Sequence, residues 1–221
     1  MCGRFTLHAS KEELFDQFEL DQLFEEFEPR YNIAPGQRVL AIIHDGNKRR
    51  AGYLKWGLVP GWAKDPKIGY KMINARSESA HQKPSFKQLL SSKRCLIIAD
   101  SFYEWKRDEK GKQPKRIAPK NRKLFAFAGL WDKWTNDEEE LFTCTILTQD
   151  ANDFMKDIHD RMPVILPKEK EAEWLEPKKW TLQEASHFLA QVGMEDLEAY
   201  NVSPYVNAAR NEGEACIEPL I

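Results

Sequence analysis

Cys2 is the residue of this chain with the most distinctive chemistry, because removal of Met1 would leave it with a thiol and a free α-amine on neighbouring carbons. A small second residue generally permits removal of the initiator methionine. The α-amine has an ordinary pKa of about 7.7–8.0, so a useful fraction is neutral at pH 7 and can form a Schiff base with an aldehyde. The adjacent thiol can then close on the imine carbon to give a five-membered thiazolidine, and proximity favours that closure. Taken by itself, Cys2 is better explained as an ordinary second residue.

Three other segments contain residues that could assist such chemistry. Asn74 could orient a nucleophile, and Arg76 could bind a phosphate. Glu104 lies in an alternating segment, residues 101–106, where flanking aromatic residues would bury the carboxyl, raise its pKa and suit it to general acid–base catalysis. His159 precedes a buried apolar run and could act as a general acid or stabilise a developing alkoxide. The simpler alternatives are a helix N-cap for Asn74, an arginine-paired carboxylate for Glu104 and a core histidine for His159.

Charge is unevenly distributed although the net charge is only -2. Residues 30–133 hold 24 of the 33 Lys and Arg but 8 of the 35 Asp and Glu, so this stretch carries +16 and the remainder -18. A basic centre beside an acidic remainder suggests a polyanion-binding face. Aromatic residues among the cations suit single-stranded nucleic acid, and Trp62 is the candidate stacking platform. The densest basic run, residues 106–123, is predicted to be a solvated lysine-rich loop.

The elements that must position these residues are predicted from periodicity and capping signals. Capping boxes at Ser10–Glu13 and Thr181–Glu184 begin two helices. Asp45-Gly46 predicts a hairpin turn, and the prolines of residues 28–35 predict an ordered loop. A loop is also predicted over residues 57–69. The remaining predicted helices are 23–27, 84–90, 152–158 and 168–175; strands are predicted at 5–7, 39–44, 49–56, 95–99, 102–106, 124–134, 141–148, 164–166 and 205–206. This pattern predicts a strand-rich α+β fold in a single domain, residues 1–221, with helices at the periphery.

Composition limits the class of protein. The chain has 221 residues, of which 42% are hydrophobic and 31% charged, as in ordinary globular proteins. Apolar runs fall short of the ~20 residues of a membrane span, and the first residues lack a secretory signal. Four widely spaced cysteines argue against a disulfide scaffold, so we expect a cytoplasmic protein. The histidines are not spaced as metal ligands, and we expect neither a metal nor a cofactor.

Seven separated motifs occur in an order that resembles the SRAP family, the SOS response-associated peptidases, which are also called abasic site processing proteins. The motifs are Met1–Phe5, Tyr31–Pro35, Trp56–Trp62, Asn74–Arg76, Phe102–Trp105, His159–Pro163 and Val206-Asn207. They extend over essentially the whole chain. The resemblance implies a single SRAP domain with a barrel-like β core.

The resemblance also implies roles for individual residues. The position of Cys2 links covalently to an abasic site in single-stranded DNA. The positions that complete the site are Asn74, Glu104 and His159. The positions expected to hold the DNA backbone are Arg4, Arg76 and Arg161. Ala208-Ala209 departs from the family's usual asparagine–proline stretch, which affects that loop rather than the site.

The expected function is therefore capture of abasic sites in single-stranded DNA as a thiazolidine at Cys2, by a monomer, with strand cleavage by β-elimination as a side path. One alternative is a self-processing thiol peptidase in which Cys2 is the nucleophile and Glu104 and His159 are its partners. A second alternative is a non-covalent single-strand-binding module in which Cys2 is inert.

Overall fold

A computed structural model describes residues 2–20, 27–109, 111–193 and 196–220 of the chain. Within these ranges the helices are α1 Lys11–Phe18, α2 Ser77–Ala80, α3 Pro84–Ser92, α4 Asp153–Lys156, α5 Lys168–Leu175 and α6 Leu182–Ala190. The strands are β1 Phe5–Leu7, β2 Arg30–Ile33, β3 Arg38–His44, β4 Arg49–Trp56, β5 Asn74–Arg76, β6 Arg94–Ala99, β7 Ser101–Asp108, β8 Gly111–Pro119, β9 Phe125–Thr135, β10 Glu140–Asp150, β11 Arg161–Pro163, β12 Ile165–Leu166 and β13 Leu197–Asn201. Three short 3-10 helices occupy Pro66–Lys71, Pro204–Asn207 and Glu214–Cys216.

Five strands close a barrel. In the hairpin, β3 pairs with β4. On its other side β3 pairs with β6, and on its other side β4 pairs with β10. Strand β9 pairs with both β6 and β10 and so closes the ring. The pairing of β4 with β10 is parallel, whereas the other four are antiparallel. Because the ring is closed, each of the five strands is hydrogen-bonded to a neighbouring strand on both sides. The α+β class and the barrel-like core expected from the sequence are confirmed.

A second sheet lies against the barrel in the order β13-β8-β7-β1-β2. Phe5 of β1 and Phe102 of β7 are directly paired, and both rings contact Phe127 of the barrel strand β9, with centroid separations of 5.6 and 6.1 Å. The Phe5 ring also lies 5.2 Å from that of Trp56. These fully buried aromatic side chains fix the N-terminal strand against the barrel.

Most predicted elements are confirmed, including both capping boxes and the hairpin at Asp45-Gly46. Three predictions are wrong. Residues 28–35 contain the strand β2, because the prolines flank it and leave its backbone groups free to pair with β1. The basic run 106–123 is not a loop, since its first part pairs as the antiparallel hairpin β7–β8. Residues 205–206 form part of a 3-10 helix, and the late strand is β13.

The predicted helix over residues 23–27 lies outside the described residues except for Phe27, which is not helical. Among the described helices, none has the length and apolar character that crossing a membrane requires.

Candidate functional site

Cys2 lies immediately before β1, and its side chain is fully buried. The position is fixed because β1 is an interior strand of its sheet, paired with β2 on one side and β7 on the other. The Cys2 carbonyl accepts a hydrogen bond from the Asn74 side-chain amide at 2.8 Å. Burial raises the pKa of the Cys2 thiol well above its ordinary value, and the charge of Glu104 raises it further. The thiol is therefore neutral at physiological pH.

Asn74 reaches Cys2 from β5, a short strand that pairs in parallel with β10. It is a strand residue and does not cap a helix, which removes the simpler alternative for this position. Its side-chain nitrogen serves the Cys2 carbonyl, whereas its Oδ1 is buried and has no hydrogen-bond partner within the described chain. One end of the amide thus orients the backbone at Cys2, and the other end can accept a hydrogen bond from a ligand.

Glu104 lies on β7, close to Cys2 in register. Phe5 pairs with Phe102, and extending this antiparallel register by two residues places Gly3 opposite Glu104. The Glu104 side chain is only 3% exposed. Burial raises the pKa of its carboxyl, and the nearby His159 partly offsets that rise. A carboxyl with a raised pKa takes up a proton more readily than an exposed glutamate, which suits Glu104 to acid–base chemistry.

His159 lies at the start of β11 with its side chain 29% exposed, so it is not a core histidine. The backbone N–H of Arg161 donates to its Nδ1 at 3.0 Å. That bond places the proton of the neutral imidazole on Nε2, which is then a donor. The Asp160 carboxylate lies 2.8 Å from the same Nδ1 and provides a partner when the ring is protonated.

Arg4 is held by protein acceptors. Its guanidinium donates to Asn32 Oδ1 at 2.7 Å and to the carbonyls of Val206 and Asn207 at 2.8 and 3.4 Å, and it lies 5.8 Å from the Trp105 ring centroid. Burial lowers its pKa from the ordinary value. The structure therefore places Arg4 as a link between the start of the chain and the C-terminal segment.

Arg161 differs even more from the role that the resemblance implies. It is only 6% exposed, and its guanidinium contacts Glu78 through both terminal nitrogens, at 2.6 and 3.0 Å, and also bonds to Asp150 and the Thr148 carbonyl. These bonds tie α2 and β10 to the segment that carries His159. Since two carboxylates and a carbonyl occupy its donors, Arg161 is not directed at an external phosphate.

Arg76 is the exposed cation of the three. It follows Asn74 by two residues on β5, so the two side chains project in the same direction. No salt bridge holds Arg76 in the described part of the chain, whereas Arg161 is paired. Arg76 is therefore the arginine that the structure leaves available to a polyanion beside Cys2.

Trp62 is 63% exposed on the loop between β4 and β5. The loop is fixed from below, because the Trp134 indole donates to the Ala63 carbonyl at 2.7 Å and Gly61 N–H donates to Asp132 at 2.8 Å. A cavity of about 330 Å³ opens beside Trp62 and is lined by Lys64, Lys67 and Lys71, among others. The loop backbone is thus anchored and the Trp62 indole is exposed beside lysines, and its role as a stacking platform stays a prediction.

The contacts of Asn32 carried no local signal in the sequence. Asn32 is fully buried, and its amide donates to the carbonyls of Val206, Ala208 and Asn211 while it accepts from Arg4. The three carbonyls lie more than 170 positions farther along the chain and Arg4 lies 28 positions before Asn32, so no spacing pattern could identify these contacts. The described residues contain no group of three His, Cys, Asp or Glu side chains able to hold a metal ion.

Comparisons with known proteins agree with this arrangement. A family model described as SOS response associated peptidase (SRAP) matches residues 1–209. The abasic site processing protein YoaM of Bacillus subtilis is 54% identical over 99% of this chain and 98% of its own, and the abasic site processing protein HMCES of Gallus gallus is 35% identical over 88% of this chain and 67% of its own. A crystal structure of a Bacteroides thetaiotaomicron protein has a TM-score of 0.83 at 23% identity, covers 100% of both chains, and shares the fold.

Proposed function

Because this chain belongs to the SOS response associated peptidase (SRAP) family, we propose that it processes abasic sites in single-stranded DNA by capturing their aldehyde covalently at Cys2. Relatives that match almost the full length of the chain are named abasic site processing proteins. Support from the structure comes from the convergence of Cys2, Asn74, Glu104 and His159 at the start of β1.

Capture begins with the amine of Cys2, once Met1 has been removed by hydrolysis. The amine nitrogen attacks C1′ of the ring-opened sugar, and loss of one water leaves an imine. His159 donates a hydrogen bond through Nε2 to the sugar ring oxygen as the ring opens, which favours the aldehyde. Asn74 holds the Cys2 backbone so that the amine approaches in one orientation.

Ring closure uses the neutral thiol. The Cys2 sulfur adds to the imine carbon, the C=N electron pair moves to nitrogen, and the thiol proton is transferred to that nitrogen through Glu104. Glu104 suits this transfer because burial raises the pKa of its carboxyl above the ordinary value, so the group holds a proton more readily than an exposed glutamate. The product is a thiazolidine that joins protein and DNA and shields the lesion. An imine that does not close can undergo β-elimination, which cleaves the strand.

The raised pKa of the Cys2 thiol, which keeps the thiol protonated, weighs against the peptidase alternative. A cysteine peptidase needs a thiolate, which requires a pKa below the ordinary value. Burial instead raises the pKa of Cys2, and the Glu104 charge adds to that effect. A neutral thiol is compatible with closure on an imine, because the proton leaves as the bond forms.

Arg76, Trp62 and the lysines of its loop bind the strand on either side of the lesion. Trp62 stacks on a base, and the cations contact phosphates. Stacking on an exposed indole requires an unpaired base, so binding favours single strands over intact duplex.

Intact-mass measurement of the protein after incubation with an abasic single-stranded oligonucleotide tests the proposal. The expected mass is that of the chain without Met1 plus the oligonucleotide minus one water. Cys2→Ala is the matched control, because it keeps the α-amine and should give an adduct only after hydride reduction of the imine. The same heat-stable adduct from Cys2→Ala without hydride would overturn the thiazolidine mechanism.

A further inference from the structure

The hairpin β7–β8 presents two lysines on the same face as Glu104. Its register pairs Glu104 with Lys115 and Lys106 with Gln113. Directly paired residues of antiparallel strands project to one face, and so do residues two apart on a strand. Lys106 and Lys115 therefore share the Glu104 face of the hairpin.

That face continues outward from the buried site. Phe102 and Ile117 are paired with each other, and the Phe102 ring contacts Phe127 of the barrel strand β9, so this face of the hairpin is turned towards the barrel. Glu104 is the next residue along the same face of β7, and it is still buried. Lys106 and Lys115, which are half-buried, mark the point where the face emerges from under the barrel into solvent.

The ammonium group of Lys115 is held in place without being neutralised. Its Nζ donates to Asn201 Oδ1 of the neighbouring strand β13 at 2.8 Å, which uses one of its three donors. Because β8 separates β13 from β7, this bond draws the ammonium away from Glu104. Neither Lys106 nor Lys115 forms an ion pair with another described residue, whereas lysines elsewhere, such as Lys93 and Lys133, are paired with carboxylates.

We propose that Lys106 and Lys115 bind backbone phosphates of the DNA strand where it leaves the Cys2 site. This assignment rests on the proposed function, since it presumes a DNA strand at Cys2. Two positive charges on the emerging edge attract the phosphates that flank the lesion. The opposite face of the same hairpin carries the exposed pair Arg107 and Lys112, which is directed away from the site.

The salt dependence of DNA binding tests the assignment. We would compare the double variant Lys106→Gln/Lys115→Gln with the matched control Arg107→Gln/Lys112→Gln, which removes the same charge from the other face of the hairpin. The probe is a labelled oligodeoxythymidine of about 15 nucleotides without an abasic site, followed by fluorescence anisotropy. Each lost phosphate contact on a single strand lowers the slope of log K against log salt by about 0.7, so the double variant should lose about 1.4. Between about 50 and about 200 mM salt, wild-type affinity should then fall about 7-fold more than that of the variant.

Equal slopes for the double variant and wild type would overturn the assignment, as would an equal loss in the control, which would indicate a diffuse charge effect. Unchanged melting temperatures would show that both variants remain folded. Adduct formation by wild type on an abasic oligonucleotide is measured in parallel. If wild type forms no adduct, the proposed function fails whatever the slopes show; if it forms one and the slopes are equal, only the assignment of Lys106 and Lys115 fails.

Discussion

Replacing Glu104 by glutamine should slow thiazolidine formation while leaving DNA binding intact. Glutamine keeps the shape and hydrogen-bonding capacity of the side chain but cannot take up or release a proton near neutral pH. Glu104 is 3% exposed and belongs to none of the surfaces that contact DNA in this account, so its loss should not weaken binding.

The size of the effect follows from the role assigned to the carboxyl. General acid–base catalysis contributes about 10²–10⁴-fold to a rate, which corresponds to about 2.7–5.5 kcal/mol of barrier. Solvent cannot readily replace the missing group, because the site around Cys2 and Glu104 is buried. We therefore expect the defect to lie in the upper part of that range.

The same substitution, Glu104→Gln, should raise the stability of the folded protein at neutral pH although it slows the reaction. Burial raises the pKa of Glu104 in the folded protein above its ordinary value of 4.5. The folded state therefore binds this proton more tightly than the unfolded state does, so the contribution of Glu104 to stability is complete below the ordinary pKa and is lost as pH rises through the raised value. Glutamine has no such dependence, so Glu104→Gln should be more stable than wild type at neutral pH, with the difference vanishing in acid.

Single-turnover kinetics test this prediction. Enzyme in excess is mixed with abasic single-stranded oligonucleotide from about pH 5 to about pH 9, and adduct is resolved on denaturing gels. Urea unfolding at the same pH values gives the stability comparison. A wild-type rate for Glu104→Gln would refute the proton-transfer role, and a wild-type pH dependence of its stability would refute the raised pKa.

Two further predictions concern one exposed residue, Trp62, and one buried residue, Arg161. Trp62→Ala should weaken binding to undamaged single-stranded DNA by about 1–3 kcal/mol, measured by fluorescence anisotropy, with no change in melting temperature because the indole is 63% exposed; an unchanged affinity would remove Trp62 from the interface. Arg161→Met should lower the free energy of unfolding by about 1–3 kcal/mol, because it removes charge-assisted bonds to Glu78 and Asp150, and should leave the salt slope of DNA binding unchanged; a slope lower by about 0.7 would instead identify Arg161 as a phosphate ligand.

Local patterns were sufficient to predict most elements but not those that depend on distant pairing. Alternation predicted β7, the turn signal Asp45-Gly46 predicted the hairpin β3–β4, and capping boxes predicted the starts of α1 and α6. The strand β8 was missed because lysines and two prolines obscure its alternation, and it is stabilised by neighbours on both sides, β7 and β13. Ring closure through β4 and β10 joins strands about 90 residues apart, which no local pattern indicates.

In the candidate site, too, some features could be predicted from the sequence and others only from the fold. Residue chemistry drew attention to Cys2, Asn74, Glu104 and His159, and the structure brings them to one place. The sequence alone did not show which arginine binds DNA, because a guanidinium binds an internal carboxylate as well as it binds a phosphate. Only the fold shows that Arg161 faces Glu78 while Arg76 is exposed.

The central claim is that the amine and the thiol of Cys2 act together, and inserting one alanine between Met1 and Cys2 tests it most directly. Removal of Met1 then exposes the amine of alanine, while the thiol remains on the following residue, so no aminothiol exists on neighbouring carbons. Each protein is incubated with abasic single-stranded oligonucleotide, heated in detergent and resolved on a denaturing gel. The account predicts a heat-stable adduct for wild type and none for the insertion variant, whose imine should appear only after hydride reduction. A heat-stable adduct from the insertion variant without hydride would contradict the aminothiol mechanism.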